Sequence, residues 1–221
     1  MTEPGIHTHW LQQATQRLGE HWLLKALCTT VAISVFMVVY FILLRHPMFP
    51  VTLVPVTGLD RLVAFEPWSL LPYASLWFYI SLVPMLLLTR ELPLYLSSVT
   101  LLAVLGFGIF LFWPTTVPAP DIDWRQYPSV AFLKTVDASG NACPSLHVAY
   151  AVLTALWAQR LLKRIGAPRL MRLSNGVWCV AIAYSTLATK QHLALDVLAG
   201  AVMGLAVTWP HLRLDSRLRR G

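Results

Sequence analysis

Charged residues are scarce in this sequence. Only 12% of the 221 residues are charged, whereas 57% are hydrophobic; a soluble domain normally carries about 25% charged residues. This deficit excludes a large soluble domain and is typical of a polytopic membrane protein. The net charge of +7 does not indicate nucleic-acid binding, because the basic residues lie beside apolar runs. There they set topology and contact anionic lipid headgroups.

Cysteine is also rare. The three cysteines, Cys28, Cys143 and Cys179, are odd in number and irregularly spaced, which argues against a disulfide framework and a zinc site. Cys143 directly precedes Pro144, so a thiol nucleophile is a minor alternative to a small buried residue.

Long apolar runs dominate the chain and predict an all-α fold. We expect one integral membrane domain over residues 1–221, built as a six-span transmembrane helix bundle. The predicted spans lie near residues 23–44, 68–89, 93–113, 145–162, 175–189 and 193–210.

The segment 1–22 precedes the first span and has an amphipathic pattern. Trp10, Ala14, Leu18 and Trp22 recur at intervals of four, which predicts an interfacial helix on the membrane surface. The alternative is a plain lead-in to the first span.

Lysine and arginine positions predict the orientation. With both termini cytoplasmic, the basic residues of the cytoplasmic side, including the basic tail 213–221, are Arg17, Arg90, Lys163, Arg164, Arg169, Arg172, Arg213, Arg217, Arg219 and Arg220. The opposite side holds Arg45, Arg61, Arg125, Lys134 and Lys190. This asymmetry follows the positive-inside rule and places the long polar loop 114–144 on the outer face.

The segment "PSLH", residues 144–147, carries the first group of polar side chains. Proline suits the first position of a helix. The free N–H groups that follow, together with the Ser145 hydroxyl, predict an anion site at the positive end of the helix dipole. His147 lies within one turn of that site.

The segment "STLATKQHLALD", residues 185–196, carries the second group. His192 and Asp196 are four residues apart and share one helix face. An aspartate inside an apolar span needs a partner, and a carboxylate on one ring nitrogen prepares a histidine as nucleophile or general base. Lys190 adds positive charge at the same place. A purely structural pair or a metal site remains the alternative at this point.

Taken together, the two segments resemble the second and third signature motifs of the type 2 phosphatidic acid phosphatase superfamily. Those motifs read Pro-Ser-Gly-His, and Ser-Arg, five residues, His, three residues, Asp. The matching positions here are Pro144, Ser145, His147, Ser185, His192 and Asp196. The "PSLH" form resembles a branch that includes inositol phosphorylceramide synthases and sphingomyelin synthases.

The resemblance implies phosphoryl transfer without a metal or other cofactor. It implies that His192 attacks phosphorus, that Asp196 orients His192, and that His147 protonates the leaving oxygen and then activates the acceptor. Ser145 and Ser185 are expected to contact the phosphoryl group.

This sequence departs from the family pattern in its basic residues. The first family motif, Lys, six residues, Arg-Pro, has no counterpart in "FWPTTVPAPD", residues 112–121, and Thr186 replaces the arginine of the third motif. Lys190 is the first substitute that we expect, followed by Arg125 and Lys134 in the long loop.

We therefore predict a lipid-phosphate phosphatase, with lipid headgroup phosphotransferase as the alternative. The expected partners are a lipid phosphate and membrane lipids, not nucleic acid, and the expected location is a bacterial inner membrane with the site on its outer face. Further alternatives are an intramembrane serine protease using Ser145 and His192, a haem or transport protein, and an inactive family member. Phosphatidic acid, phosphatidylglycerol phosphate, polyprenyl diphosphate and sphingolipid headgroups all remain open as substrates.

Overall fold

The computed structural model describes residues 4–136 and 140–219. The first residues of the predicted lead-in, three residues of the long loop, and Arg220 in the predicted tail lie outside the described residues. The described chain is mostly helical, as predicted. In chain order the helices are α1 (Pro4–Gly19), α2 (Trp22–Arg45), α3 (Gly58–Leu62), α4 (Leu70–Ala74), α5 (Leu76–Leu86), α6 (Leu92–Phe112), α7 (Pro128–Val136), α8 (Leu146–Arg164), α9 (Arg169–Ala188) and α10 (Ala194–Leu218).

Within the described ranges, four helical segments are long and apolar enough to cross a membrane. They are Trp22–Arg45, Pro67–Leu86, Thr89–Phe112 and Ala194–Leu218. The fourth and fifth predicted spans correspond to α8 and α9, helices of 19 and 20 residues whose composition alone does not mark them as membrane spans.

Helix boundaries differ from the prediction where charged residues continue a helix. Helix α9 starts at Arg169, before the apolar run, and α10 continues through Pro210 to Leu218. Most of the described part of the predicted tail is therefore helical. The reason is that its charged side chains form ion pairs at the helix end, so the helix does not need to stop where the hydrophobic run stops.

The second predicted span is a single helical segment, Pro67–Leu86, whose helix type changes along its length. A short 3₁₀ helix (Pro67–Ser69) leads into α4, and α5 follows after Ser75. Ser75 keeps right-handed helical dihedral angles, and its N–H and carbonyl continue the helical hydrogen bonds to Leu71 and from Tyr79. The carbonyl of Tyr73, near the end of α4, also accepts a hydrogen bond from another helix.

Helix α8 lies at the centre of the bundle and packs against α5, α6, α9 and α10. Its closest partner is α10, where Gly200 and Gly204 are four residues apart. A Cβ on Gly200 would collide with the Ser145 carbonyl oxygen, and a Cβ on Gly204 would stand 2.6 Å from the Ala149 carbonyl oxygen. Small residues at this spacing let two membrane helices approach closely.

A second close approach involves α6. A Cβ on Gly106 would collide with the side chain of Leu146, so the glycine provides the space that Leu146 fills. Leu146 is buried in the main hydrophobic core of the bundle.

Two short strands connect the loops at one end of the bundle. β1 (Thr52–Leu53) pairs in parallel with β2 (Thr115–Thr116), and the Ala142 N–H donates to the Thr115 carbonyl at 3.2 Å. The first loop, the long loop and the segment before α8 are thereby joined. We call this the histidine end, because His147 and His192 lie there.

The opposite end carries a cluster of ion pairs, which we call the arginine end. Its members are Glu91, Asp215, Arg17, Arg160, Arg164 and Arg219. Glu91 contacts three of these arginines and is almost completely buried. Trp10 and Ala14 of α1 pack beside the cluster on Leu161 and Ile165, so α1 lies against the bundle.

The substitution Gly200→Ala is expected to separate α8 from α10. Overpacking of this kind costs about 1–3 kcal/mol, and the Tm of the detergent-purified protein should fall by roughly 3–10 °C. Gly176→Ala in α9 is the matched control, because a Cβ there meets no atom within 4 Å. Equal melting of Gly200→Ala and wild type would contradict the close contact.

Candidate active site

Ser145 caps the start of α8. Its Oγ accepts a hydrogen bond from the Val148 N–H at 3.3 Å, and its own N–H donates to the Asp196 carbonyl at 3.0 Å. Pro144 lies before this N-cap, so the prediction that proline opens the helix is wrong. Because the Ser145 hydroxyl is a cap and is completely buried, the geometry does not favour a serine nucleophile.

His147 is held by Tyr73. The two rings stack with centroids 4.0 Å apart and an interplanar angle of 17°. His147 Nε2 lies 2.9 Å from the Tyr73 carbonyl oxygen. A carbonyl can only accept, so Nε2 carries the hydrogen and Nδ1 remains for proton transfer.

His192 lies beside Asp196, as predicted, but the two do not share a helix face. His192 precedes the extended N-cap Leu193, and only Asp196 belongs to α10. His192 Nδ1 and Asp196 Oδ2 are 3.6 Å apart, which is close enough for an ion pair but too long for a hydrogen bond. The Asp196 Oδ2 atom instead accepts from the Leu193 N–H at 2.8 Å. Within the described residues, neither His192 Nδ1 nor Asp196 Oδ1 has a hydrogen-bond partner. Catalytic contacts of this kind often tighten when the substrate binds.

Two of the three predicted basic residues, Lys190 and Lys134, contact the turn before His192 or the first loop. Lys190, in the turn before α10, donates to the backbone carbonyls of Asp60 and Val63 in the first loop. Lys134 of α7 donates to the Lys190 carbonyl at 2.7 Å and to the Gln191 Oε1 at 3.3 Å.

The side chains of Arg125 and Ser185 have hydrogen-bond partners other than the two histidines. The Arg125 side chain is 91% exposed and pairs with Asp123. The Ser185 hydroxyl donates to the Ile182 carbonyl of its own helix at 2.6 Å.

A cavity of about 230 Å³ joins the histidine end to the rest of the bundle. His147 and His192 both line it, and so does a row of α2 residues from Lys25 to Phe41. This row spans about 24 Å at about 1.5 Å per residue, which is most of the ~30 Å hydrocarbon core of a bilayer. The lining is largely apolar, and it ends at Lys25, whose Nζ donates to the Arg17 carbonyl at 2.8 Å.

Sequence reasoning missed Asp60. Its Oδ1 accepts from the Ala194 N–H of α10 at 2.7 Å, and its Oδ2 accepts from the Thr57 N–H and hydroxyl, each at 2.7 Å. Burial alone would raise the pKa of Asp60, but these hydrogen bonds and the charge of Lys190 hold the pKa below its usual value. The "TGLD" pattern at residues 57–60 signals a capping box; the contact with α10 has no local signal.

Cys143 is next to the site but is not activated. Burial, followed by the negative charge of Asp196, raises the pKa of the Cys143 thiol to about 11. It therefore stays protonated at neutral pH, which argues against the thiol nucleophile considered above.

The comparison with protein families gives the class of the chain. The model of the PAP2 superfamily matches residues 92–220, which include α6 and all the helices that follow it. The chain belongs to the PAP2 superfamily, whose members are phosphatases or phosphotransferases. Neither the curated proteins nor the solved structures gave a match to this chain.

Asp60→Ala is expected to loosen the start of α10 and displace His192. Loss of a helix-capping carboxylate costs about 0.5–2 kcal/mol, and displacement of a catalytic group by about 1 Å costs up to about 100-fold in rate. We therefore expect turnover of a lipid phosphate to fall more steeply than the Tm. Asp121→Ala, at an exposed position of the long loop, is the control. If both variants turn over the lipid phosphate at the wild-type rate, the role of Asp60 is refuted.

Proposed function

We propose that this protein is an integral membrane lipid-phosphate phosphatase that works through a phosphohistidine. The observation that carries the proposal is that His147 and His192 line one end of an apolar cavity that follows α2 across most of the bundle. A phosphate at the histidines and a hydrocarbon chain along α2 would fit such a cavity. Membership of the PAP2 superfamily supports a lipid-phosphate substrate.

The chemistry divides between the two histidines. His192 Nε2, the ring nitrogen remote from Asp196, attacks phosphorus, and the bond from phosphorus to the lipid oxygen breaks. That oxygen takes the proton of His147. Water then attacks the phosphohistidine, giving its proton to His147, and inorganic phosphate leaves as the nitrogen–phosphorus bond breaks. Asp196 stabilises the positive charge of His192 while phosphorus is attached.

Positive charge near the phosphate would come from Lys134 and Lys190. The Lys134 ammonium group donates to the Lys190 carbonyl and the Gln191 amide oxygen, in the turn that precedes His192. The Lys190 ammonium group donates to two backbone carbonyls of the first loop. Such acceptors do not cancel the charge of an ammonium group, which still stabilises a phosphoryl transition state. The N–H groups at the start of α8, beside Ser145, would add the helix dipole. Arg125 and Ser185 have weaker support, because one is exposed and the other is bonded within its own helix.

We propose that α8 and α9 cross the membrane with the four apolar segments, which gives six spans. The loops and termini at the arginine end carry more lysine and arginine, which supports a cytoplasmic position of that end and of both termini. The histidine end would then face outward, in a bacterial inner membrane.

Headgroup transfer to a second lipid or alcohol is the other candidate. It rests on Leu146, which stands where the common family motif has glycine and gives the motif its "PSLH" form. In this reaction an alcohol replaces water in the second step, and the residues keep their roles.

His192→Ala is expected to reduce phosphate release and headgroup transfer by about 10⁴-fold or more, because the nucleophile is lost. The assay uses purified protein with a panel of lipid phosphates and measures free phosphate and, separately, transfer to added alcohols. An acid-labile phosphoenzyme should form in wild type and be absent in the variant.

The matched control is His211→Ala. His211 lies further along α10 and contacts the Val207 carbonyl of its own helix, so its loss should leave activity unchanged. Full activity of His192→Ala would overturn the proposed mechanism.

Ala32→Phe is expected to block the cavity along α2. Ala32 lines this cavity, whereas Val35 of the same helix does not and is largely exposed, so Val35→Phe is the control. Ala32→Phe should raise the KM for long-chain lipid phosphates and spare a short-chain analogue. Equal effects on both chain lengths would argue against a lipid chain in the cavity.

A further inference from the structure

We propose that the side-chain amide of Asn141 binds the oxygens of the transferred phosphoryl group. The inference deepens the proposed phosphoryl transfer and rests on it. It assigns a neutral hydrogen-bond donor to a site from which the family's usual basic residues are missing.

Asn141 lies at the histidine end of the cavity. Asn141 lines the same cavity as His147 and His192 and comes three residues before Pro144, at the entrance to α8. A phosphoryl group held at the two histidines would therefore occupy a cavity that the Asn141 side chain also lines.

The NH₂ group of the Asn141 side chain is buried and makes no hydrogen bond to any residue that the structure describes. The residue is 4% exposed. A buried N–H donor without an acceptor is unfavourable, and such groups in native proteins call for an explanation such as a ligand. An anionic oxygen is the strongest acceptor that the proposed reaction supplies.

Hydrogen bonds hold the backbone around Asn141 in place, so the side-chain NH₂ group is positioned before any ligand binds. The two N–H groups that follow donate to Thr115: Ala142 to its carbonyl at 3.2 Å and Cys143 to its Oγ1 at 2.8 Å. Asn141 itself has φ of 50°, a left-handed conformation that asparagine and glycine adopt more readily than other residues. A donor held in place before the reaction stabilises developing charge without reorganisation.

The left-handed backbone alone could account for an asparagine, and the test must separate the two roles. Asn141→Gly keeps the backbone conformation and removes the amide. Asn141→Asp keeps the shape and replaces the NH₂ group by a negatively charged oxygen. His21→Gly controls for a new glycine at positive φ, since His21 also has φ of 50° and belongs to the linker between α1 and α2.

The experiment measures kcat/KM with a lipid phosphate, inhibition by orthovanadate, and the Tm shift caused by inorganic phosphate and orthovanadate. Loss of one such donor costs about 10²–10³-fold in rate. We expect that loss in Asn141→Gly together with weaker orthovanadate binding, and a larger loss in Asn141→Asp because its charge repels the anion. His21→Gly should behave as wild type.

Wild-type orthovanadate affinity in either Asn141 variant would overturn the inference. If Asn141→Gly loses stability, Asn141→Asp decides alone, because it leaves the size of the side chain unchanged. The proposed function has its own test, because an active His192→Ala protein would refute it. If His192→Ala is inactive and both Asn141 variants behave as wild type, only the role of Asn141 is refuted.

Discussion

The hydrogen bond from the Ser145 N–H to the Asp196 carbonyl joins the starts of α8 and α10, and the histidine end depends on it. This bond forms because Gly200 lets the two helices approach until the backbone of one meets the backbone of the other. His147 follows Ser145 by two residues, and His192 precedes Asp196 by four residues. The relative position of the two imidazoles is therefore set by backbone contact between helices, which is stiffer than contact between long side chains.

The charged side chains at the two ends of the bundle have different kinds of partner. At the arginine end, two carboxylates each pair with three of the four arginines, and these shared ion pairs fix which helix ends lie together. At the histidine end, Lys134 and Lys190 donate mainly to neutral carbonyls. Two buried polar atoms of the histidine–aspartate pair have no hydrogen-bond partner among the residues that the structure describes. The first arrangement suits a structural junction, and the second suits a site that acquires its anion from outside.

Much of the fold could be predicted because hydrophobic runs report helices directly. The limits of α2 and α6 were predicted to within about one residue, since strongly apolar runs end sharply there. The long end of α10 was not predicted, because it depends on ion pairs with residues of other helices. The proximity of His192 and Asp196 was predicted, but from a shared helix face that the structure does not have, because His192 precedes the N-cap of α10. Asp60 and Asn141 could not be predicted, since their significance lies in contacts with α10 and with a cavity that only the folded chain contains.

Leu146 and Gly106 show how a departure from a motif can be absorbed. The position that is commonly glycine in the second motif holds a leucine here, and the missing space is found on another helix, where Gly106 leaves room for that side chain. The small residue at this interface between α6 and α8 is Gly106, on α6. Substitutions at the two positions are thus coupled: a larger residue at 106 becomes tolerable when residue 146 becomes small.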